Sequence, residues 1–236
     1  MEQLVIKDKY DPNKYIDATG SVIVAKGGDG TLLRAITKFR HLDKPFFGVA
    51  AGTENFLMNP ASNLDIFDDA EYIEFQLIKV TVTYLRDTIK AGWIHQEETT
   101  KTYQAFNDIM IGGDMNSWIH FNVHDKDRLI GRVKGGGLIF STAQGSTGIN
   151  KNNGGVILPL SSHNWVVTGD KTHRRVNYVL EPSRTTITLK SRKPVSLWVD
   201  GSSHIISDVL SVEIAAGDTV TVIFNDYTDF KQKRKL

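Results

Sequence analysis

Hydrophobic and polar positions divide the chain into two regions with different periodicities. In the first region, the short apolar runs "QLVIK" and "SVIVAK" precede a helical pattern in "TLLRAITKFRHL", where Leu32, Ile36 and Phe39 share one face. The run "KPFFGVAAG" predicts a further strand. This alternation of strands and helix predicts an α/β domain over residues 1–70.

The second region has a period of two. Apolar and polar residues alternate in several segments bounded by turn signals, namely "YIEFQLIKVTVTYL", "WIHFNVH", "TTITLK", "VSLWVD", "VLSVEI" and "DTVTVIF". A turn is expected at "AAGDT", between the last two segments. The pattern predicts an all-β, β-sandwich-like domain over residues 71–215.

Composition narrows the class of protein. The 236 residues carry a formal net charge of +1, which favours neither a nucleic-acid nor a membrane partner. No apolar stretch approaches the length of a membrane span. The chain has no cysteine, which fits a reducing compartment and indicates a cytoplasmic protein.

The motif "GGDGT" lies between the second apolar run and the helix. Its glycines, Gly27, Gly28 and Gly30, allow the backbone to approach a ligand, and the following helix N-terminus favours a phosphate. Thr31 can cap the helix or contact the anion. Asp29 suits a base that takes a proton from an attacking hydroxyl, or a ligand of Mg²⁺. A tight turn with an aspartate cap explains the spacing equally well.

A second glycine-rich block, "KGGGLIFSTAQGSTGINKNNGG", interrupts the β region. Its small and hydroxyl-bearing residues can bring backbone groups and Thr147 against a flat ligand such as a base or a ribose. A surface loop between strands is the structural alternative. Two such loops in one chain, each beside a buried run, favour a ligand site.

The order "GGDGT", "GVAAGTENFL", "AFNDIMI", "STAQGSTG" and "WVDGS" resembles the NAD kinase family, from about residue 20 to the C-terminus. The resemblance implies an α/β domain followed by a nucleotide-binding β-domain, and a tail, about 216–236, that packs back on the first domain. It also implies a shortened Rossmann-like form of the first domain, and a homo-oligomer. Large apolar residues such as Trp118, Trp165 and Trp198 predict a homodimer or homotetramer.

The resemblance also assigns roles to residues. Asp29 is expected to be the catalytic base for the 2′-hydroxyl of the adenosine ribose. The nucleotide-binding residues that it implies are Gly27, Gly28, Gly30, Thr31, Phe56, Leu57, Asn107, Asp108, Thr147, Gly148, Asn152 and Asp200. No protein metal ligand is expected, and Mg²⁺ would bridge the triphosphate of ATP.

Several positions depart from the family pattern. Gly136 replaces a carboxylate that the family has near the nucleotide, Ile149 replaces an aromatic ring, and Asp108 stands where a glutamate is usual. These changes leave Asp29 intact and alter the walls of the pocket, so they bear on the substrate more than on the reaction.

The sequence thus predicts an enzyme that transfers a phosphoryl group from ATP to the 2′-hydroxyl of NAD, giving NADP. A lipid kinase of the diacylglycerol or sphingosine type is one alternative, because "GTEN" is similar to a segment of those enzymes. A nucleotide-binding relative without activity is another. Polyphosphate in place of ATP, and NADH in place of NAD, both remain open.

Overall fold

A computed structural model describes residues 3–11, 13–51, 55–60, 65–90, 92–114, 118–201 and 204–226. The chain divides into two compact units. The first contains the described residues up to Gln76 together with those from Thr219 onward, and the second contains Leu77–Asp218. The chain therefore leaves the first unit once and returns to it at its end.

The first unit is built on a sheet in the order β1-β2-β3-β4, followed by the end of β16. The strands are β1 (Val5–Lys7), β2 (Tyr15–Asp17), β3 (Ile23–Gly27), β4 (Phe46–Ala50) and the last residues of β16 (Val209–Phe224). β1, β2 and β3 pair antiparallel, whereas β4 pairs parallel with β3 and with β16.

One helix covers this sheet. α1 (Asp29–Phe39) begins two residues after β3 and continues into a 3₁₀ turn over Arg40–Leu42. Its buried face carries Leu32, Ala35, Ile36 and Phe39, as the apolar periodicity predicts. The sheet and the helix thereby hold the "GGDGT" motif at a strand–helix junction.

Asn59 connects the end of the chain to β4. Its Nδ2 donates to the carbonyl oxygens of Gly48 and Ile223 at 2.9 Å, and its Oδ1 accepts from the backbone nitrogen of Asn225 at 2.8 Å. The residue is fully buried, so these three bonds satisfy polar groups that water cannot reach.

The second unit contains two antiparallel sheets. In one, β6 (Trp93–Ala105) pairs with β5 (Glu71–Lys90), which begins in the first unit. From β5, the strand order continues through β16, β13 (Thr185–Lys190), β8 (Ile119–Asp125) and β9 (Arg128–Gly135). The other has the order β12-β11-β10-β7-β14-β15. Its strands are β7 (Asp108–Gly112), β10 (Gly137–Ser141), β11 (Trp165–Asp170), β12 (Asn177–Leu180), β14 (Ser196–Val199) and β15 (His204–Ile206).

Both sheets contribute side chains to one apolar core, including Phe121, Phe140 and Ile187. Trp165 is buried in it and therefore adds nothing to the exposed apolar surface that a partner copy would cover. Trp118 is exposed and Trp198 is half-buried. Large exposed apolar side chains also occur at the end of the β5–β6 hairpin, at Ile89, Trp93 and Ile94.

The predicted fold class, an α/β N-terminal part followed by a β-rich part, is confirmed. One detail was wrong. The expected turn at "AAGDT" does not form, because Gly217 continues β16: a Cβ there would lie 2.9 Å from the carbonyl oxygen of Leu77. That glycine allows close strand contact rather than a turn.

Candidate active site

Asp29 is the first residue of α1, and its carboxylate bonds to a segment that is distant in the sequence. Its Oδ1 accepts hydrogen bonds from the backbone nitrogens of Leu57 at 2.9 Å and Phe56 at 3.2 Å, and its Oδ2 accepts from Phe56 at 2.9 Å. The carboxylate thereby holds a second segment of the chain, at residues 56–57, beside the glycine motif.

The glycines of the motif differ in their surroundings. A Cβ on Gly27 would meet the Thr31 hydroxyl, so this glycine makes room for the threonine. A Cβ on Gly28 would lie 3.3 Å from Oδ1 of Asn55, whereas a Cβ on Gly30 would have no neighbour within 4 Å. Open space at Gly30, in the first turn of α1, allows a ligand to approach backbone N–H groups.

Thr31 itself is buried and faces the protein. Nη2 of Arg34 donates to its Oγ1 at 3.2 Å. Arg34 also lies 3.9 Å from the carboxylate of Asp8. The guanidinium was not among the predicted site residues, although its position one turn into the helix places a cation beside the motif.

A second cluster lies in the other unit, around Asp200. Its carboxylate accepts backbone hydrogen bonds from Phe106 at 2.8 Å, Asn107 at 2.8 Å and Asp108 at 3.2 Å. Its own backbone nitrogen donates to the carbonyl of Asp108 at 2.9 Å. Asp200 is buried and adopts a φ of 46°, which aspartate tolerates better than most residues. These bonds fix the turn that carries Asn107.

Asn107 is held from the other side by the "STAQGST" loop. Oγ1 of Thr142 donates to the carbonyl oxygens of Phe106 and Asn107, and Nε2 of Gln144 donates to that of Phe106 at 2.6 Å. A Cβ on Gly145 would overlap the Asn107 carbonyl. The sequence analysis missed Thr142 and Gln144, although both lie within the glycine-rich block that it singled out.

The side-chain oxygen of Asn107 differs from its backbone groups in its hydrogen bonding. Its Oδ1 is buried and has no hydrogen-bond partner among the described residues. A buried acceptor without a partner costs free energy, so its presence indicates a donor supplied by a ligand.

The remaining predicted residues of this block lie outside the cluster. Thr147 ends a 3₁₀ turn over Gln144–Thr147 and is half-buried, while Gly148 and Asn152 are exposed. Asn152 belongs to the short helix α2 (Ile149–Asn152). The backbone donors to the Asp200 carboxylate come from Phe106, Asn107 and Asp108 rather than from this block.

Asp108 has a raised pKa, about 7. Burial is the main cause, and the neighbouring Asp200 carboxylate adds to it. The residue as a whole is half-buried. Near neutral pH, Asp108 therefore changes its charge, and it directly follows Asn107 in the chain.

The raised pKa of Asp108 predicts a specific dependence of stability on pH. The folded state keeps the proton that the unfolded chain loses near pH 4, so stability falls as the pH rises from about 4 to about 7. Asp108→Asn stays neutral, and we expect it to unfold with a free energy about 1–4 kcal/mol higher at pH 8 but similar at pH 4. Urea unfolding at both pH values measures this difference.

Asp127→Asn is the matched control, because it removes the same charge from an exposed carboxylate. It should change stability by less than about 0.5 kcal/mol at either pH. If Asp108→Asn and the unmodified protein have the same free energy of unfolding at pH 8, burial of the ionised Asp108 carboxylate does not destabilise the folded state.

A carboxylate from another strand lies close to Gly136. A Cβ built on Gly136 would lie 3.3 Å from Oδ2 of Asp170, at the end of the neighbouring strand β11. We expect Gly136→Asp to place two carboxylates together and to lower stability at pH 8 by about 1–4 kcal/mol. Urea unfolding measures the loss, and Gly136→Asn controls for size. Adding Asp170→Asn to Gly136→Asp should restore stability; no restoration would contradict the assigned repulsion.

The described residues include no group of three or more histidine, aspartate or glutamate side chains arranged to hold a metal ion. In the same residues, no helix is both long and apolar enough to cross a membrane.

Known proteins resemble this chain in both sequence and fold. Residues 7–74 match the sequence model of the ATP-NAD kinase N-terminal domain. The NAD kinase of Finegoldia magna is 27% identical over 236 residues, covering 94% of this chain and 84% of the relative. The NAD kinase of Rickettsia bellii is 29% identical over 214 residues, covering 86% and 80%.

Two solved structures share the fold. An NAD kinase from Archaeoglobus fulgidus, in complex with ATP, superposes with a TM-score of 0.68 at 17% identity and covers 90% of this chain and 80% of its own. A yeast NADH kinase, complexed with NADH, gives a TM-score of 0.71 at 19% identity and covers 89% and 63%. The chain is thus similar to NAD kinases in sequence along most of its length, and it shares their fold.

Proposed function

We propose that the protein is a kinase that transfers the γ-phosphoryl group of ATP to the 2′-hydroxyl of the adenosine ribose of NAD, producing ADP and NADP. The observation that carries the proposal is the Asp29 carboxylate, fixed by the backbone nitrogens of Phe56 and Leu57 at the start of a helix in a glycine-rich motif. Relatives named NAD kinase along most of the chain support it.

Asp29 is the proton acceptor in this proposal. The 2′ oxygen forms a bond to the γ-phosphorus, the bond from that phosphorus to the β–γ bridging oxygen breaks, and the hydroxyl proton passes to the carboxylate. The two backbone donors stabilise the ionised carboxylate and fix its direction. An ionised carboxylate is an acceptor-only group, which suits it to take the hydroxyl proton.

The glycine motif would hold the phosphates. Gly28 and Gly30 allow the ligand to reach the N-terminal turn of α1, whose N–H groups and partial positive charge favour anions. Mg²⁺, which neutralises phosphate charge when bound, would be held chiefly by the phosphates. Thr31 and Gly27 shape this loop by packing on each other.

Asn107 and Asp108 would bind the dinucleotide. The buried Oδ1 of Asn107 requires a donor, and the amino and hydroxyl groups of adenosine provide such donors. Asp200 acts on these two residues through their backbone and is a positioning residue in this proposal. Thr147, Gly148 and Asn152 lie on the adjoining loop and would contact the nucleotide from there, as would Phe56 and Leu57 from theirs.

The homo-oligomer and the cytoplasmic location are further parts of the proposal. Exposed apolar residues at the end of the β5–β6 hairpin offer surface that a second copy can cover, as a homodimer or homotetramer would. The absence of cysteine fits a reducing cytoplasm.

The test is an assay of purified protein with Mg²⁺ and ATP or polyphosphate as donor, and with NAD, NADH, diacylglycerol or sphingosine as acceptor. Formation of NADP or NADPH with ATP supports the proposal. Phosphorylation of a lipid alone would favour the lipid kinase alternative. Nucleotide binding without any product would favour a relative without activity.

A further inference from the structure

A large basic pocket lies on the second unit, on the solvent face of the β13–β8–β9 sheet. It has a volume of about 820 Å³. Its lining consists of Trp118, His120, Asn122, Lys134, Lys190, Ser191, Arg192 and Lys193. Four of these side chains are permanently cationic and none is acidic, although the whole chain has a formal net charge of only +1.

Strand register places like charges in one row. Lys190 on β13 lies opposite His120 on β8, which lies opposite Lys134 on β9. All three are exposed. The backbones of Lys190 and Lys134 are about 9–10 Å apart, because two strand spacings separate them. An anion bound between the two ammonium groups would interact favourably with both.

The described part of the protein supplies little such negative charge. Lys193 pairs with Asp114 at 3.0 Å. Among the described residues, Lys134, Lys190 and Arg192 form no ion pair with a carboxylate. Three cationic groups therefore converge on one pocket with their charges open to a ligand.

Trp118 adds a flat apolar wall. Its indole is 57% exposed, and Nζ of Lys134 lies 5.4 Å from the ring centroid. Exposed tryptophan beside several cations is suited to a ligand that combines a planar ring with negative charge. A second copy of this face is a poor occupant, because an isologous contact would bring the same cations together.

We infer that this pocket binds a compact polyphosphate, and specifically a nucleotide whose phosphates contact Lys134, Lys190 and Arg192 and whose base packs on Trp118. The site is separate from the residues assigned to catalysis: none of its lining residues belongs to the Asp29 or Asn107 clusters. The inference does not depend on the proposed kinase reaction, since it requires binding without turnover.

The experiment is calorimetric titration of the full chain with ATP, inorganic tripolyphosphate and adenosine, without Mg²⁺ and without NAD. We compare the unmodified protein with Lys190→Gln/Arg192→Gln. Lys79→Gln/Lys101→Gln is the matched control, because it removes two exposed positive charges from the same unit, on β5 and β6. All four lysine and arginine positions are exposed, so the variants should fold normally.

We expect Lys190→Gln/Arg192→Gln to bind ATP at the pocket about tenfold more weakly, or worse, than the unmodified protein does. The unmodified protein and the control should therefore each show one more ATP site per chain than this variant. Trp118→Ala should weaken ATP binding there and leave tripolyphosphate binding unchanged. Equal losses in the control pair, or an unchanged number of sites in the pocket variant, would overturn the inference. Loss of tripolyphosphate but not ATP would overturn the assignment of a nucleotide.

Discussion

Asp29→Asn should lower kcat by about 10²-fold to 10⁴-fold, because an amide cannot accept the proton of the attacking hydroxyl. The effect should appear at saturating ATP and NAD, since the step that is lost is chemical rather than a binding step. Steady-state formation of NADP measures it. Calorimetric affinity for NAD should change by less than about tenfold.

The same variant should also be less stable. Asparagine has one acceptor oxygen in place of two, so its Nδ2 would face a backbone N–H that Asp29 now satisfies at Phe56 or Leu57. We expect a loss of about 1–3 kcal/mol in the free energy of unfolding, measured by urea titration. Asp29 is thus expected to connect stability and catalysis through one carboxylate.

Asn59→Ala separates the two effects. It removes three hydrogen bonds from the same unit without touching Asp29, and it should lower stability by a comparable amount. Its kcat should stay within a few-fold of the unmodified protein at a temperature where both are folded. Similar kcat values for Asp29→Asn and Asn59→Ala would show that Asp29 only holds the segment at residues 56–57.

Asn107→Ala should weaken NAD binding by about 10-fold to 100-fold, the value of a hydrogen bond to a buried group. The free protein should be as stable as before or more stable, because the variant removes a buried acceptor that lacks a partner. Calorimetry with NAD and urea unfolding without it measure the two quantities. Opposite effects on binding and stability are not expected of a residue with a purely structural role.

Asn13→Ala is the control for this second prediction, because it truncates an exposed asparagine. It should leave both NAD affinity and stability within measurement error. Unchanged NAD affinity in Asn107→Ala would mean that the buried Oδ1 does not receive its donor from the dinucleotide.

Local patterns predicted much of the fold. The helix periodicity identified the buried face of α1, and strict alternation over "TTITLK" gave β13 with its bounds, Thr185–Lys190. These features depend on side chains within a few residues of each other. By contrast, Gly217 continues a long strand because of its contact with the distant Leu77, which no local pattern encodes.

The candidate site shows the same division. The glycine motif marked Asp29, but its partners, Phe56 and Leu57, are 27 and 28 residues away, so the sequence could not reveal that the carboxylate joins two segments. Likewise, the motif order indicated Asp200 but not its contact with backbone nitrogens more than 90 residues away. The compensation at Gly136 by Asp170 also depends on strand pairing.

The central claim is that the 2′-hydroxyl of the adenosine ribose receives the γ-phosphoryl group. Its most direct test uses ATP labelled with ³²P at the γ position, with NAD and with an NAD analogue that lacks only that hydroxyl. We predict labelled NADP from NAD and no labelled dinucleotide from the analogue. Label transfer to the analogue, or no transfer to NAD or NADH, would contradict the account.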